Sequence, residues 1–178
     1  NYTLNGAYVA LNYDYNISGG LSLQPGFKYT FLAGEKNNGI VASAANQQTF
    51  EHLLSIPFRF RYSLDLGGFQ AFAFAGPEFV CGLASIDKYE IFGQEIKWNA
   101  FNGKTSGKTS FGDFKDNEFV NLAQQGRFDV MLGGGIGLKF ADMIEAKVGY
   151  NYGLIDRYST DDRTLTRNEL YAGIAICF

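Results

Sequence analysis

The chain has 178 residues, of which 46% are hydrophobic, 16% aromatic and 19% charged, the composition of one folded domain and not of a disordered chain. Lys+Arg 15 against Asp+Glu 18 leave a net charge of -3, without the basic excess that a nucleic-acid partner demands. No apolar run reaches the roughly 18 residues of a membrane helix, while Phe 17, Tyr 11, Gly 22 and only Pro 3 favour an all-β chain. Two classes stay open at this point, a soluble β protein and a membrane β-barrel.

Taken in chain order, alternation with period two predicts strands over Tyr2–Tyr15, Leu21–Ala33, Glu51–Leu64, Phe69–Leu83, Phe128–Phe140, Ile144–Leu154 and Asn168–Phe178. The connections between them alternate short and long: 16–20, 65–68 and 141–143 are tight, whereas 34–50, 84–127 and 155–167 are extended. Outer-membrane barrels show this asymmetry, with short periplasmic turns and longer extracellular loops. The repeat GKTSGKTS at 103–110 reads as a flexible polar tip of the longest loop. That loop, 87–126, mixes both charges with Ile91, Phe92, Ile96, Trp98, Phe101, Phe111, Phe114 and Phe119, so it either folds on the rim or meets a partner.

The two faces of the strands differ in kind. One carries no charge and many large side chains, among them Val9, Leu23, Phe27, Tyr29, Ile56, Phe58, Ile136 and Ile174. The other interleaves Asp14, Lys28, Arg59, Arg61, Glu78, Asp129, Lys139, Glu145, Lys147 and Glu169 with Gly26, Gly76, Gly82, Gly133, Gly135, Gly137, Gly149, Gly153 and Gly173. An eight-stranded barrel is only just wide enough for its own side chains, so the large-residue face must be convex and meet lipid. The expected class is therefore an all-β transmembrane up-and-down barrel in the bacterial outer membrane. Aromatics sort to both ends of the apolar band: Tyr13, Tyr15, Tyr62, Phe69, Phe140 and Phe178 toward the periplasmic rim, and Phe31, Phe79, Phe128, Tyr150 and Tyr152 toward the outer one.

Parity adds an expectation. The last strand descends, and counting back makes the first visible strand descend too, so eight strands with seven present here predict one more ahead of Asn1. An opening at Asn1 without a charged or apolar leader is expected of a chain whose signal peptide has been removed. Within the lumen, the five bases and five acids named above are expected to neutralise one another, with Arg59 and Arg61 each finding a carboxylate and Lys139 facing Glu145 across the tight turn. Pro25, Pro57 and Pro77 fall inside strands and demand bulges or locally unpaired positions.

The motifs LSLQPGFKY, SIPFRFRY, FAGPEF, GGGIGLKF and AKVGYNYGL, with the ending YAGIAICF, resemble the PorT-like outer-membrane β-barrel family of the Bacteroidetes. The resemblance covers all seven strands and none of the loops. It implies the barrel fold, the outer membrane and one additional Gly-rich first strand; for one branch of that family it implies a place in a secretion apparatus.

Candidate chemistry is thin. His52 is the single histidine, and Glu51 and Ser55 beside it have the opposite parity, so a lipid-modifying site is not expected. The acidic pairs Asp113 with Asp116 and Asp161 with Asp162 lack EF-hand spacing and read as solvated. Cys81 and Cys177 fit no metal or redox motif and lie at opposite ends of the strands, too far apart for a disulfide. No cofactor, metal or catalytic residue is expected; the expected partners are outer-membrane lipid, lipopolysaccharide and a protein at the extracellular loops. The function expected is a structural or interaction barrel with a sealed charged lumen, a subunit of an envelope or secretion assembly, with a narrow channel or a lipid-A-modifying hydrolase as alternatives.

Overall fold

The computed structural model describes residues 3–35, 45–91, 94–109, 112–117, 125–157 and 165–177. Eleven strands form one antiparallel sheet: β1 (Asn5–Asn12), β2 (Tyr15–Ser18), β3 (Leu21–Glu35), β4 (Ala45–Asp65), β5 (Phe69–Ile91), β6 (Gln94–Asn99), β7 (Thr105–Thr109), β8 (Gly112–Asn117), β9 (Phe128–Phe140), β10 (Ile144–Gly153) and β11 (Asn168–Ile176). There is no helix among the described residues. The barrel wall runs β1, β3, β4, β5, β9, β10, β11, and β2 continues β1 along the same edge of β3 after a break at Tyr13 and Asp14.

Alternation fixes which way the sheet curls. Large apolar side chains such as Ile56, Phe60, Phe79 and Ile136 stand exposed on the convex face, while Lys28, Arg59, Arg61, Glu78 and Glu145 are buried on the concave one. Only a lipid solvent makes that distribution favourable, since each apolar side chain left in water forfeits roughly 1.5–3 kcal/mol. The concave face is narrow because its glycines accept rings. A Cβ added at Gly135 would lie 2.6 Å from Cζ of Phe74, and one at Gly137 would lie 2.7 Å from Cε2 of Phe72. Tyr171 fills the space over Gly149 and Tyr8 the space over Gly173. Four rings thus enter the lumen, where the sequence showed glycines and charges.

The turns follow from local chemistry. Gly19 and Gly20, at φ 57° and 85°, close the tight hairpin between β2 and β3. Ala141 and Asp142 adopt φ 47° and 55° between β9 and β10, a left-handed geometry that costs a non-glycine residue roughly 1–2 kcal/mol. The prolines interrupt pairing without moving register. Pro25 stands opposite Phe58 and pairing resumes at Lys28 with Ser55; Pro57 stands opposite Glu78 and pairing resumes at Phe60 with Ala75.

Strands β4 and β5 run past the predicted strand ends, and the segment expected as one long loop carries β6, β7 and β8. Within the GKTSGKTS repeat, expected to be a flexible tip, Thr105–Thr109 form β7, and Ser110 lies outside the described residues. The upper part of β5 pairs with β6 and its lower part with β9, so a branch of the same sheet, β4 to β8, rises from the outer rim. Its alternation has no lipid-facing side, which is why it does not read as membrane strand.

The two edges of the wall face each other. The Tyr8 and Tyr171 rings meet edge-on at 6.0 Å, although no backbone pairing joins β1 to β11 among the described residues. Leu170 and Ile174 on β11 are 83% and 82% exposed, against 37% and 39% for Ile56 and Phe58 in mid-wall. Each antiparallel step reverses direction, so β1 and β11 run the same way.

Candidate functional site

The lumen holds a charge network that crosses the barrel. Glu78 on β5 forms an ion pair with Lys28 of β3 at 2.6 Å and accepts from Arg59 of β4 at 2.7 Å, and Asn151 of β10 donates to the same carboxylate at 3.0 Å. Lys28 also reaches Glu169 of β11 at 2.9 Å, which Asn151 bonds at 2.9 Å. Arg59 further donates to the Gly76 carbonyl and, at 2.8 Å, to Asn151. Charges on four strands and the Asn151 amide of β10 are thereby tied into one unit, beside a small cavity of about 30 Å³ lined by Lys28, Arg59, Glu78, Lys147, Tyr8 and Tyr171.

A second cluster lies nearer the periplasm. Arg61 pairs with Glu145 at 2.6 Å and lies 3.6 Å from Asp14, while its guanidinium carbon stacks 3.7 Å from the Phe72 ring centroid. Lys147 lies 3.7 Å from the other Glu145 oxygen. The register does place Lys139 opposite Glu145, but the expected ion pair between them is not made. Glu145 is buried and turns inward to Arg61 and Lys147; Lys139, at the rim, lies 3.8 Å from Asp142 in the turn. A planar, permanently charged guanidinium held over a ring is the better buried partner.

Above the Glu78 network Leu53, Val80 and Met131, with Leu32 against them, form an apolar cluster on the inward face. Beyond it the polar groups resume. Glu51 pairs with Arg167, Ser85 donates to Glu51 at 3.4 Å, and Thr49 donates to Asp87 at 2.5 Å. The Asp129 carboxylate is also buried here. Trp98, Ala100 and Phe101 close the outer mouth: Ala100 N donates to Ser85 O at 2.9 Å, and the Phe101 ring lies over Gly82 with the Arg127 and Arg157 guanidinium carbons 5.7 and 6.0 Å from its centroid.

Sequence reasoning named Asp14, Lys28, Arg59, Arg61, Glu78, Asp129, Lys139, Glu145, Lys147 and Glu169. The structure joins Lys28, Arg59, Glu78 and Glu169 in one network and Asp14, Arg61, Glu145 and Lys147 in another, and leaves Lys139 and Asp129 outside both. Asn151, Arg167 and the four lumen rings were missed, and Glu51, whose inward parity was legible, was not assigned a partner. Asn151 has the parity of Lys147 and Gly153 and could have been found by counting polar residues along with charged ones.

The interface aromatics Tyr13, Tyr15, Tyr62, Phe69, Phe140, Phe79, Phe128, Tyr150 and Tyr152 are exposed on the convex face, and Phe31 is half-buried there. Phe178, Asp161 and Asp162 lie outside the described residues. Cys81 and Cys177 are free thiols. Among the described residues no group of three or more His, Cys, Asp or Glu is placed to hold a metal ion.

His52 sits on the outward face, its Nδ1 2.6 Å from the Tyr29 hydroxyl, whereas Glu51 and Ser55 are buried on the inward face. Among the described residues the hydroxyl beside it is the Tyr29 phenol, and Glu51 and Ser55 face away from it. His52→Ala is therefore expected to leave lipid A acylation unchanged in cells expressing the barrel; altered acylation on mass analysis of extracted lipid A would contradict this.

The convex apolar face, the charged lumen and the aromatic rims are those of a transmembrane barrel. Residues 1–159 match the family model of the outer membrane protein β-barrel domain, and the chain belongs to that family. It is a bacterial outer-membrane protein. No curated protein and no solved structure matches the chain.

Proposed function

We propose that this barrel is a non-enzymatic structural and interaction protein: a sealed scaffold in the outer membrane that works through the sheet on its outer rim, as a subunit of an envelope or secretion assembly of the PorT-like kind. The observation that carries this reading is the lumen. Ion pairs bridge it from β3 and β4 to β5, β10 and β11, and Leu53, Val80 and Met131 pack on its inward face, which supports a lumen filled by its own side chains. By contrast β4 to β8 extend well beyond the rim and end in an edge strand, β8, with no neighbour on its far side among the described residues. Free strand edges invite pairing with another chain.

Co-purification from native membranes tests the interaction role. A protein that accompanies the wild type and is lost when residues 94–117 are replaced by a short Gly-Ser turn supports it, provided the variant still inserts and folds. Identical companions for both would overturn it.

The same reading requires a closed wall. In hydrocarbon every unpaired backbone group costs several kcal/mol, so the free edges of β1 and β11 must be covered. Because both run the same way, a single strand antiparallel to both fits between them, and this eighth strand is proposed to come from the same polypeptide ahead of Asn1. Intact mass of the mature protein from membranes is expected to exceed the 19.7 kDa of this chain by at least one strand, about 1 kDa for the 9–11 residues a membrane strand needs. A mature mass of 19.7 kDa would contradict it.

A further inference from the structure

The outer mouth is covered by a thin layer of chain. The turn between β6 and β7 (100–104) lies across it, held by two backbone bonds, Ala100 N to Ser85 O on the wall at 2.9 Å and Gln125 N to Ala100 O at 2.9 Å. Its ends are drawn together by Asn99 N to Lys104 O at 3.0 Å and by Gly103 at φ 70°. Ala100, Phe101, Gln125 and Arg157 are buried, whereas their chain neighbours Asn102, Lys104, Gly126 and Arg127 are exposed. One side of the layer thus meets solvent and the other does not.

Arg157 locks this layer. Its carbonyl accepts from Gly126 N at 2.7 Å, its Nε donates to Gly126 O at 3.3 Å, its N–H donates to Leu165 O at 2.9 Å, and its guanidinium carbon lies 6.0 Å from the Phe101 ring centroid. One residue ties the β10–β11 connection, the lead into β9 and the β6–β7 turn together. Beneath them the lining is polar: Glu51 and Ser85, both 1% exposed, stand opposite one another two residues outward of Leu53 on β4. Closure also leaves polar atoms unmet, since Trp98 Nε1 and Gln125 Oε1 are buried with no hydrogen-bond partner among the described residues. Each is a cost to the closed form that contact with water removes.

We propose that the β6–β7 turn is a strap over a polar outer vestibule, that Arg157 is its latch, and that the strap lifts to admit external solvent to Glu51 and Ser85. Opening exposes a chamber and not a passage, because the Leu53, Val80 and Met131 cluster and the Glu78 network lie below it. Strands β6 and β7 belong to the outer-rim branch, so a movement of that branch moves the strap. The device needs no bound partner, and its failure is distinguishable from failure of the interaction role.

Thiol labelling from outside reads the strap directly. In the full barrel carrying Cys81→Ala and Cys177→Ala, Ser85→Cys reports the vestibule and Val80→Cys the cluster beneath it, with a membrane-impermeant maleimide as the probe. Ser85→Cys is expected to label slowly and Val80→Cys not at all. A charge-assisted hydrogen bond is worth about tenfold or more in an opening equilibrium, so Arg157→Gln should speed labelling of Ser85→Cys by about tenfold while Val80→Cys stays silent. Phe101→Ala, which keeps Arg157, should act in the same direction. Labelling of Ser85→Cys that is absent or unchanged in both variants, or labelling of Val80→Cys in step with it, would overturn the assignment.

Discussion

Glu78→Ala is expected to destabilise the barrel by about 3–5 kcal/mol, the usual consequence of removing one partner from a buried ion pair. Glu78 is the common partner of Lys28, Arg59 and Asn151, and 1% of its surface is exposed. Without it Lys28 keeps Glu169, but the Arg59 guanidinium is left with the neutral Asn151, Gly76 and Gly133 oxygens. Replacing Lys28, Arg59 and Glu78 together by Met should cost much less, because an apolar set of similar volume removes the desolvation penalty along with the attraction. Equilibrium urea unfolding in lipid vesicles measures both. A Glu78→Ala barrel as stable as the wild type would show that the network carries no stability.

Gly135→Ala is expected to cost about 1–3 kcal/mol through overpacking. The added Cβ would lie 2.6 Å from the Phe74 ring and 2.7 Å from the Gly149 Cα, and it would also press on the Val148 carbonyl, which is backbone and cannot turn away. Gly68→Ala is the control, since nothing lies within 4 Å of a Cβ there and a surface change of this kind stays within about 0.5 kcal/mol. Equal unfolding midpoints for the two variants would mean that the rings do not fill the lumen as described.

The glycines also show what the sequence made legible. Alternation and side-chain size were enough to separate the lipid face from the lumen, and the bounds of β9 match the predicted Phe128–Phe140. Glycines at 133, 135 and 137 marked a crowded concave face, but what crowds it, Phe72 and Phe74, lies on β5, and only register brings the two together. Arg61 shows the same limit. Its inward parity was readable, yet its partner Glu145 lies 84 positions away across the lumen, and local reflection about a turn assigned that carboxylate to Lys139. Strands β6 to β8 were invisible for another reason. Above the membrane nothing selects an apolar face, and polar alternation such as that of Gln94–Asn99 looks like any solvated loop.

The central claim is that the lumen is sealed by its own side chains. Planar-bilayer recording on the complete barrel tests it most directly. The account predicts no steady conductance in the wild type and a leak in Arg59→Ala with Arg61→Ala, where both cross-lumen guanidinium groups are gone. Steady open conductance in the wild type would contradict it.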